Sequence, residues 1–277
     1  DSGVTFVDTA ANYGAGHSER VIGRAFRGRR AEVVLATKFG YAVDEEARSV
    51  SSYAADSDVV ARVRPDLQAS LRRLGTDYVD VFQLHVGDLS VERALGVREV
   101  LEDLVAEGVV RTYGWSTDRV DAARVFSTGP GCGVLQHGLS VLDDTDPALL
   151  TLCEETGLAS INRSPLGMGL LTGKFSAATR FPADDQRHRA SWHPGFRDGQ
   201  VTRQWLERVA AVREVLTSDG RTPAQGALAW IWGRSPVTVP IPGFRTTAQV
   251  VENAGALAKG PLTPQQMDEV DRILGRG

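Results

Sequence analysis

Asp8, Tyr13, Lys38 and His85 are a carboxylate, a phenol, an ammonium and an imidazole, and each lies at or just beyond a short apolar run. Thr5 to Val7 read as a buried strand that ends at Asp8, and Tyr13 follows in a loop marked by Asn12, Gly14 and Gly16. Glu32 to Ala36 form a second run, ending at Thr37-Lys38, and Val79 to Leu84 a third, ending at His85. Singly, such residues cap helices, pack in cores or satisfy backbone groups. If the strands are parallel, the four converge on the rim where α/β folds place chemistry.

Those four groups suit carbonyl reduction, which needs a hydride at carbon and a proton at oxygen. A free Tyr, with a pKa of about 10, holds its proton well and gives it up poorly at neutral pH. A neighbouring ammonium stabilises the tyrosinate. Lys38 can supply that charge, Asp8 can hold Lys38 charged and oriented, and His85 can hydrogen-bond the substrate oxygen. General-acid catalysis contributes roughly 10²–10⁴-fold, and holding the reactants together supplies the rest.

The elements that must position these groups alternate strand and helix. Ser18 opens a helix with Val21, Ile22, Ala25 and Phe26 on one face. Phe39 to Asp56 read as a flap over the mouth of the site, with Tyr41 and Tyr53 as candidates to touch substrate or face solvent. Val60, Val63, Leu67, Leu71 and Leu74 have helical spacing with Gly75 as the stop, and Pro65 either kinks or begins that helix. Ser90 and Asp118 are expected caps of the next two helices, on either side of a strand Thr112 to Ser116. Val134 and Leu135 enter a strand carrying Gln136, whose amide can both donate and accept.

Farther on, the strand Ala159 to Asn162 runs into Arg163, Ser164 and Pro165. Between Ser164 and Lys174, Gly167, Gly169 and Gly173 allow close backbone approach and Lys174 adds charge, all suited to phosphate. The segment is no P-loop, because Phe175 stands in the Ser/Thr place. Phe175 to Gln200 read as a lid without regular pattern, its His188, Trp192, His193 and Phe196 shaping a pocket. The two His residues lack the carboxylate-His spacing of a metal site. Trp205, Val209, Val212 and Val215 form a helix face, and Thr222-Pro223 and Thr263-Pro264 begin two more helices. The last strand, Val237 to Ile241, leads into Gly243 and Arg245. Arg245 at a helix start is unfavourable against the dipole, which an anionic ligand would explain. Gln249 and Asn253 follow one turn apart.

DTAANYG followed by SE and IG, the strand ending in TK, and then QLH together resemble the aldo-keto reductase family along nearly the whole chain. The resemblance implies a catalytic tetrad of Asp8, Tyr13, Lys38 and His85. It implies a (β/α)8 TIM-type barrel as a single domain over residues 1–277. Against that pattern the chain starts at the second barrel strand, so the first β/α unit is expected to be lacking and an open edge to remain. The implied cofactor is NADP(H). Ser116 and Gln136 would hold the nicotinamide carboxamide, with Thr117 where the family has Asn, and Arg163 would stack where the family has an aromatic. Ser164, Pro165, Leu166, Gly169 and Lys174 would line the phosphates, and Gly243, Arg245, Gln249 and Asn253 the adenosine end, Arg245 on the 2′-phosphate. A His at position 85, where a Glu would mark reduction of a conjugated double bond, implies reduction of a small aldehyde or ketone. The alternative is an NADP(H)-binding regulatory or channel-associated subunit with little turnover.

Bulk properties narrow the partners. The chain has 277 residues, 42% hydrophobic, enough for one large core, and a net charge of −4. No long basic block suggests nucleic acid, no apolar run is long enough to span a bilayer, and no Rossmann glycine fingerprint follows a strand. Cys132 and Cys153 are too few for a disulfide framework or a zinc site, consistent with a reducing, cytoplasmic setting.

Overall fold

The computed structural model describes residues 2–53, 58–143, 147–190 and 192–276. Asp1, residues 54–56 of the expected flap and Ser191 of the expected lid lie outside the described residues. The chain divides into two compact units, the first Val4–His137 with Asp146–Ile161, the second Asp1–Gly3, Gly138–Thr145 and Asn162–Gly277.

From Phe6 to Arg163 strands and helices alternate. They are β1 (Phe6–Asp8), α1 (His17–Ala25), β2 (Val34–Phe39), the hairpin strands β3 (Ala42–Asp44) and β4 (Ser49–Ser51), α2 (Asp58–Leu74), β5 (Val79–Leu84), α3 (Val91–Ala106), β6 (Val110–Ser116), α4 (Val120–Phe126), β7 (Cys132–Gly138), α5 (Ala148–Thr156) and β8 (Ala159–Arg163). Among these strands the order in the sheet is β1-β2-β5-β6-β7-β8. The pairs β1–β2, β2–β5, β5–β6 and β6–β7 are all parallel. Each strand hands on to its neighbour through a helix, as a TIM-type α/β fold requires.

Register decides which side chains share a face. Asp8 pairs with Ala36, so Lys38 stands two residues beyond on the same face, and Lys38 pairs with Gln83. Gln83 pairs with Gly114, Gly114 with Val134, and Ser116 with Gln136. Asp8, Lys38, Gln83 and Gln136 therefore project to one side of the sheet. Gly114 sits where the β6–β7 register shifts, and a Cβ there would lie 2.3 Å from the Val134 carbonyl oxygen. No side chain fits at that approach.

Several local expectations change. β2 begins at Val34, because residues 30–32 form a single 3-10 turn. α1 is capped by Gly16 in the left-handed region, and Val21 is exposed, while the residue the helix buries is Glu19. The burial is balanced: Thr37 Oγ1 donates to Glu19 at 2.5 Å and Arg73 Nε at 2.6 Å. α2 starts at Asp58 and continues through Pro65, ending where Gly75 turns left-handed and donates to Leu71. Ser90 stands at the N-cap of α3 without a side-chain cap bond, and the N-cap of α4 is Arg119, not Asp118. The expected flap contains the antiparallel hairpin β3–β4. Arg73 ties it down through Glu45 at 3.0 Å, and Arg20 pairs with the same carboxylate.

The second unit holds α6 (Gln186–Arg189), β9 (Phe196–Arg197), β10 (Gln200–Val201), α7 (Arg203–Leu216), α8 (Pro223–Arg234), β11 (Thr238–Pro240), α9 (Thr247–Gly255) and α10 (Pro264–Leu274). Its core gathers Leu170, Phe181, Phe196, Trp205, Trp230 and Ile231. Helices α8, α9 and α10 each start in a Thr-x-x-Gln capping box, from Thr222, Thr246 and Thr263. The segment expected to be a patternless lid has regular elements of its own. Phe196 is buried in the core, the His193 ring packs at a tilt against both Phe196 and Trp205, and His188 Nδ1 lies 2.9 Å from the Phe181 carbonyl. Of the residues expected to shape a pocket there, Trp192 and His188 are exposed.

Candidate active site

The tetrad lies within the first unit. Lys38 is fully buried at 0% exposure, and its ammonium donates to Asp8 Oδ2 at 2.5 Å and to the Thr9 carbonyl at 2.9 Å. A buried ammonium is tolerable only with such a partner set. Its Nζ lies 5.2 Å from the centre of the Tyr13 ring. Tyr13 is 42% exposed, and its ring faces the Lys38 ammonium. The His85 ring stands edge-on to Tyr13 at 6.0 Å and to Tyr41 at 5.6 Å. Burial pushes the Tyr41 phenol up, with Asp88 and Tyr13 adding to the shift.

The end of β6 locks the loop that follows His85. Trp115 Nε1 donates to the Val86 carbonyl at 2.9 Å and Thr117 Oγ1 to that of Gly87 at 2.6 Å. Thr117 Oγ1 also accepts from the Arg119 N–H at 3.2 Å. The Thr in the family's Asn place thus spends its hydroxyl on the loop. Ser116 is buried at the same strand end. Gln136 is buried and donates to Asp8 Oδ1 at 3.1 Å. A second amide, Gln83, donates to the same oxygen at 3.4 Å. Gln83 had no assigned role, although strand alternation with Val79 and Val81 already put it on their face.

The expected nucleotide residues from Arg163 onward lie in the second unit. Ser164, Gly167, Met168, Gly169 and Gly173 all have positive φ. The turns they make use their own amides: Gly167, Gly169 and Gly173 N–H donate to the carbonyls of Ser164, Leu166 and Leu170. The glycines serve the turns, and the charge comes from elsewhere. Arg187 and Arg245 act on Lys174, so that burial and the two guanidinium groups pull its ammonium below the ordinary lysine range. Arg187 grips Asp185 with two bonds, at 2.8 and 2.6 Å, and stacks over Phe181. That grip, with Arg245 contributing, pulls Asp185 down to about 2. Three cations around one carboxylate make a net positive cluster. Arg187 was missed because one Arg in a polar segment carries no spacing signal. Arg163 acts on Asp143, whose carboxyl burial pushes up while Ser140, His193 and Arg163 pull it down. Gln249 commits its carbonyl to the Arg245 and Thr246 N–H groups. Asn253 follows one turn later on α9, and Gly243 lies in the loop before that helix.

The sequence model of the aldo/keto reductase family matches residues 1–274. The chain belongs to the aldo/keto reductase family. It is 31% identical over 265 residues to a protein of Schizosaccharomyces pombe named Aldo-keto reductase yakc, with NADP(+) in its name, across 93% of this chain and 75% of that one. Among solved structures it resembles the glycerol dehydrogenase of Gluconobacter oxydans, with a TM-score of 0.86 and 27% identity over 100% of this chain and 82% of that chain. A Klebsiella pneumoniae aldo/keto reductase in complex with NADP and acetate gives a TM-score of 0.69 at 27% identity, over 100% and 82% of the two chains. The fold is accordingly TIM-type α/β. Among the described residues no helix is long and apolar enough to cross a membrane.

Proposed function

We propose that this aldo/keto reductase is an NADP(H)-dependent oxidoreductase that reduces a small aldehyde or ketone to the alcohol. The observation that carries the reading is the buried Asp8–Lys38 ion pair beneath the ring of Tyr13. When bound, the reduced nicotinamide supplies two electrons and one hydrogen as hydride to the carbonyl carbon. The Tyr13 O–H proton completes the alcohol at oxygen. Lys38 stabilises the tyrosinate left behind, and Asp8 fixes the ammonium that does so. His85 stands edge-on to Tyr13, where an imidazole can hydrogen-bond the same substrate oxygen.

The donor set suits the cofactor. Gln136 gives both Nε2 hydrogens to Asp8 and Gln83, so its carbonyl oxygen is the atom it offers to a carboxamide N–H. Ser116 adds a hydroxyl. In the second unit Lys174, Arg187 and Arg245 match phosphate, and a 2′-phosphate on Arg245 favours NADPH over NADH. The named relatives with NADP(+) or NADP support the same preference.

NADPH oxidation, followed by absorbance against a panel of small aldehydes and ketones, tests this. Turnover by the wild type that disappears in Tyr13→Phe, with NADPH affinity retained, is the expected result. Equal turnover in Tyr13→Phe would sink the proposed acid. Tight NADPH binding without turnover on any carbonyl would instead indicate a cofactor-sensing protein.

A further inference from the structure

Gln83 is fully buried on β5, on the same face as Asp8 and Lys38. A buried amide is costly unless its hydrogen bonds are met, so its partners state its purpose. An ionised carboxylate only accepts, which fixes the direction of both amides around Asp8. Oδ2 is taken by Lys38 at 2.5 Å. Oδ1 accepts from Gln136 Nε2 at 3.1 Å and from Gln83 Nε2 at 3.4 Å. The second hydrogen of Gln136 Nε2 goes to Gln83 Oε1 at 3.4 Å, closing a ring of three side chains. The longer of these bonds are individually weak, and their weight lies in direction. Asp8 draws the nitrogen of Gln136 toward it, Gln83 Oε1 adds a second acceptor on the same side, and the carbonyl is held turned the other way.

We propose that Gln83 is a positioning residue. It reinforces the amide orientation that Asp8 imposes on Gln136, so that the Gln136 carbonyl accepts from the nicotinamide carboxamide, and it steadies the Asp8 oxygen that Lys38 does not hold. The assignment rests on the cofactor reading given above and extends it by one residue. It ties the carboxamide contact and the Asp8–Lys38 pair to a single buried amide. A leucine of similar volume would leave the strand packed and remove both bonds.

Fluorescence titration of the full chain with NADPH, and competition by 2′-phospho-ADP-ribose, which lacks the nicotinamide, reads this directly. In Gln83→Leu the NADPH Kd should rise about fivefold, the worth of one ordinary hydrogen bond, while affinity for the analogue stays the same. The kcat for an aldehyde should fall about tenfold with its KM little changed, since the groups it misplaces act on the reacting centre. Gln83→Met, a flexible isostere, should reproduce both effects if Gln83→Leu folds poorly. Parallel losses on NADPH and the analogue would mark Gln83 as merely structural, and an unchanged NADPH Kd would remove it from the cofactor site; either overturns the proposal. Absence of NADPH binding by the wild type would overturn it together with the cofactor reading. Binding without Tyr13-dependent turnover would overturn the reductase reading alone, because the ligand comparison needs no turnover.

Discussion

Replacing either member of the Asp8–Lys38 pair should harm the fold unequally, and the surroundings say which is worse. Lys38 is fully buried, and its ammonium has two named acceptors, one Asp8 oxygen and the Thr9 carbonyl. Asp8 has three donors, Lys38, Gln136 and Gln83. Asp8→Asn removes the countercharge and puts an amide N–H where the two glutamines also donate. An uncompensated buried charge of this kind costs about 3–5 kcal/mol. Lys38→Met leaves Asp8 with two amide donors and no longer buries an ammonium, so about 1–3 kcal/mol is expected, the scale of a hydrogen bond to a charged group. The difference of about 2 kcal/mol, with a urea slope of roughly 2–3 kcal/mol/M, separates the two midpoints by about 1 M. Urea unfolding followed by tryptophan fluorescence measures it. The double variant should recover much of the Asp8→Asn loss, since neither charge remains. If Lys38→Met proves the less stable of the two, the donor count around Asp8 does not govern the site and the argument fails.

Further predictions concern the cation cluster and the clamp behind β2. Arg245→Ala should weaken NADPH about tenfold or more and NADH little, and parallel losses would refute the 2′-phosphate contact. Because Lys174 titrates below an ordinary lysine, NADPH affinity should fall with rising pH before pH 10.5 is reached. Lys174→Arg, which stays charged, should abolish that fall, and titration across alkaline pH checks both statements. Glu19→Ala removes the partner of Arg73 and of Thr37. Arg73 keeps Glu45 at 3.0 Å and Ser70 at 3.2 Å, so the loss should sit near the lower end of the range for broken buried pairs, about 3 kcal/mol by urea unfolding. A loss under 1 kcal/mol would mean that the clamp carries little.

The placement of Asp8, Lys38 and His85 was legible because strand ends can be read from sequence. Apolar runs predict where β1, β2 and β5 stop, a parallel sheet brings their ends together, and the side-chain period of two then fixes faces. Asp8, Lys38 and His85 needed no more than that. Tyr13 sits beyond its strand in a glycine-marked loop, and its closeness to Lys38 is a matter of tertiary geometry. The misread segments lacked a periodic signal. Residues 175–200 contain pieces of two to four residues, too short for any pattern, so burial of Phe196 and His193 was invisible. α1 misled for a different reason: its apolar face is partly exposed, and the side chain that it buries is a carboxylate whose partner, Arg73, lies 54 residues away.

That last case shows where sequence reasoning stops in this molecule. Glu19, Gln83 and Arg187 look unremarkable in the chain, because a single Glu, Gln or Arg is most often a solvated surface residue. Each acquires meaning only from a partner distant in sequence or from burial. Glu19 needs Thr37 and Arg73. Gln83 needs Asp8 and Gln136, which lie 75 and 53 residues from it. Arg187 needs the rings of Phe175 and Phe181 as well as Asp185. Asp8, Lys38 and His85 could be read from the ends of strands, whereas buried partners such as Gln83 and Glu19 could be read only once those strands were laid side by side. A positioning residue is therefore harder to find by sequence than the group it positions, and Gln83 is the clearest instance, since it lies directly beside Lys38 in the sheet.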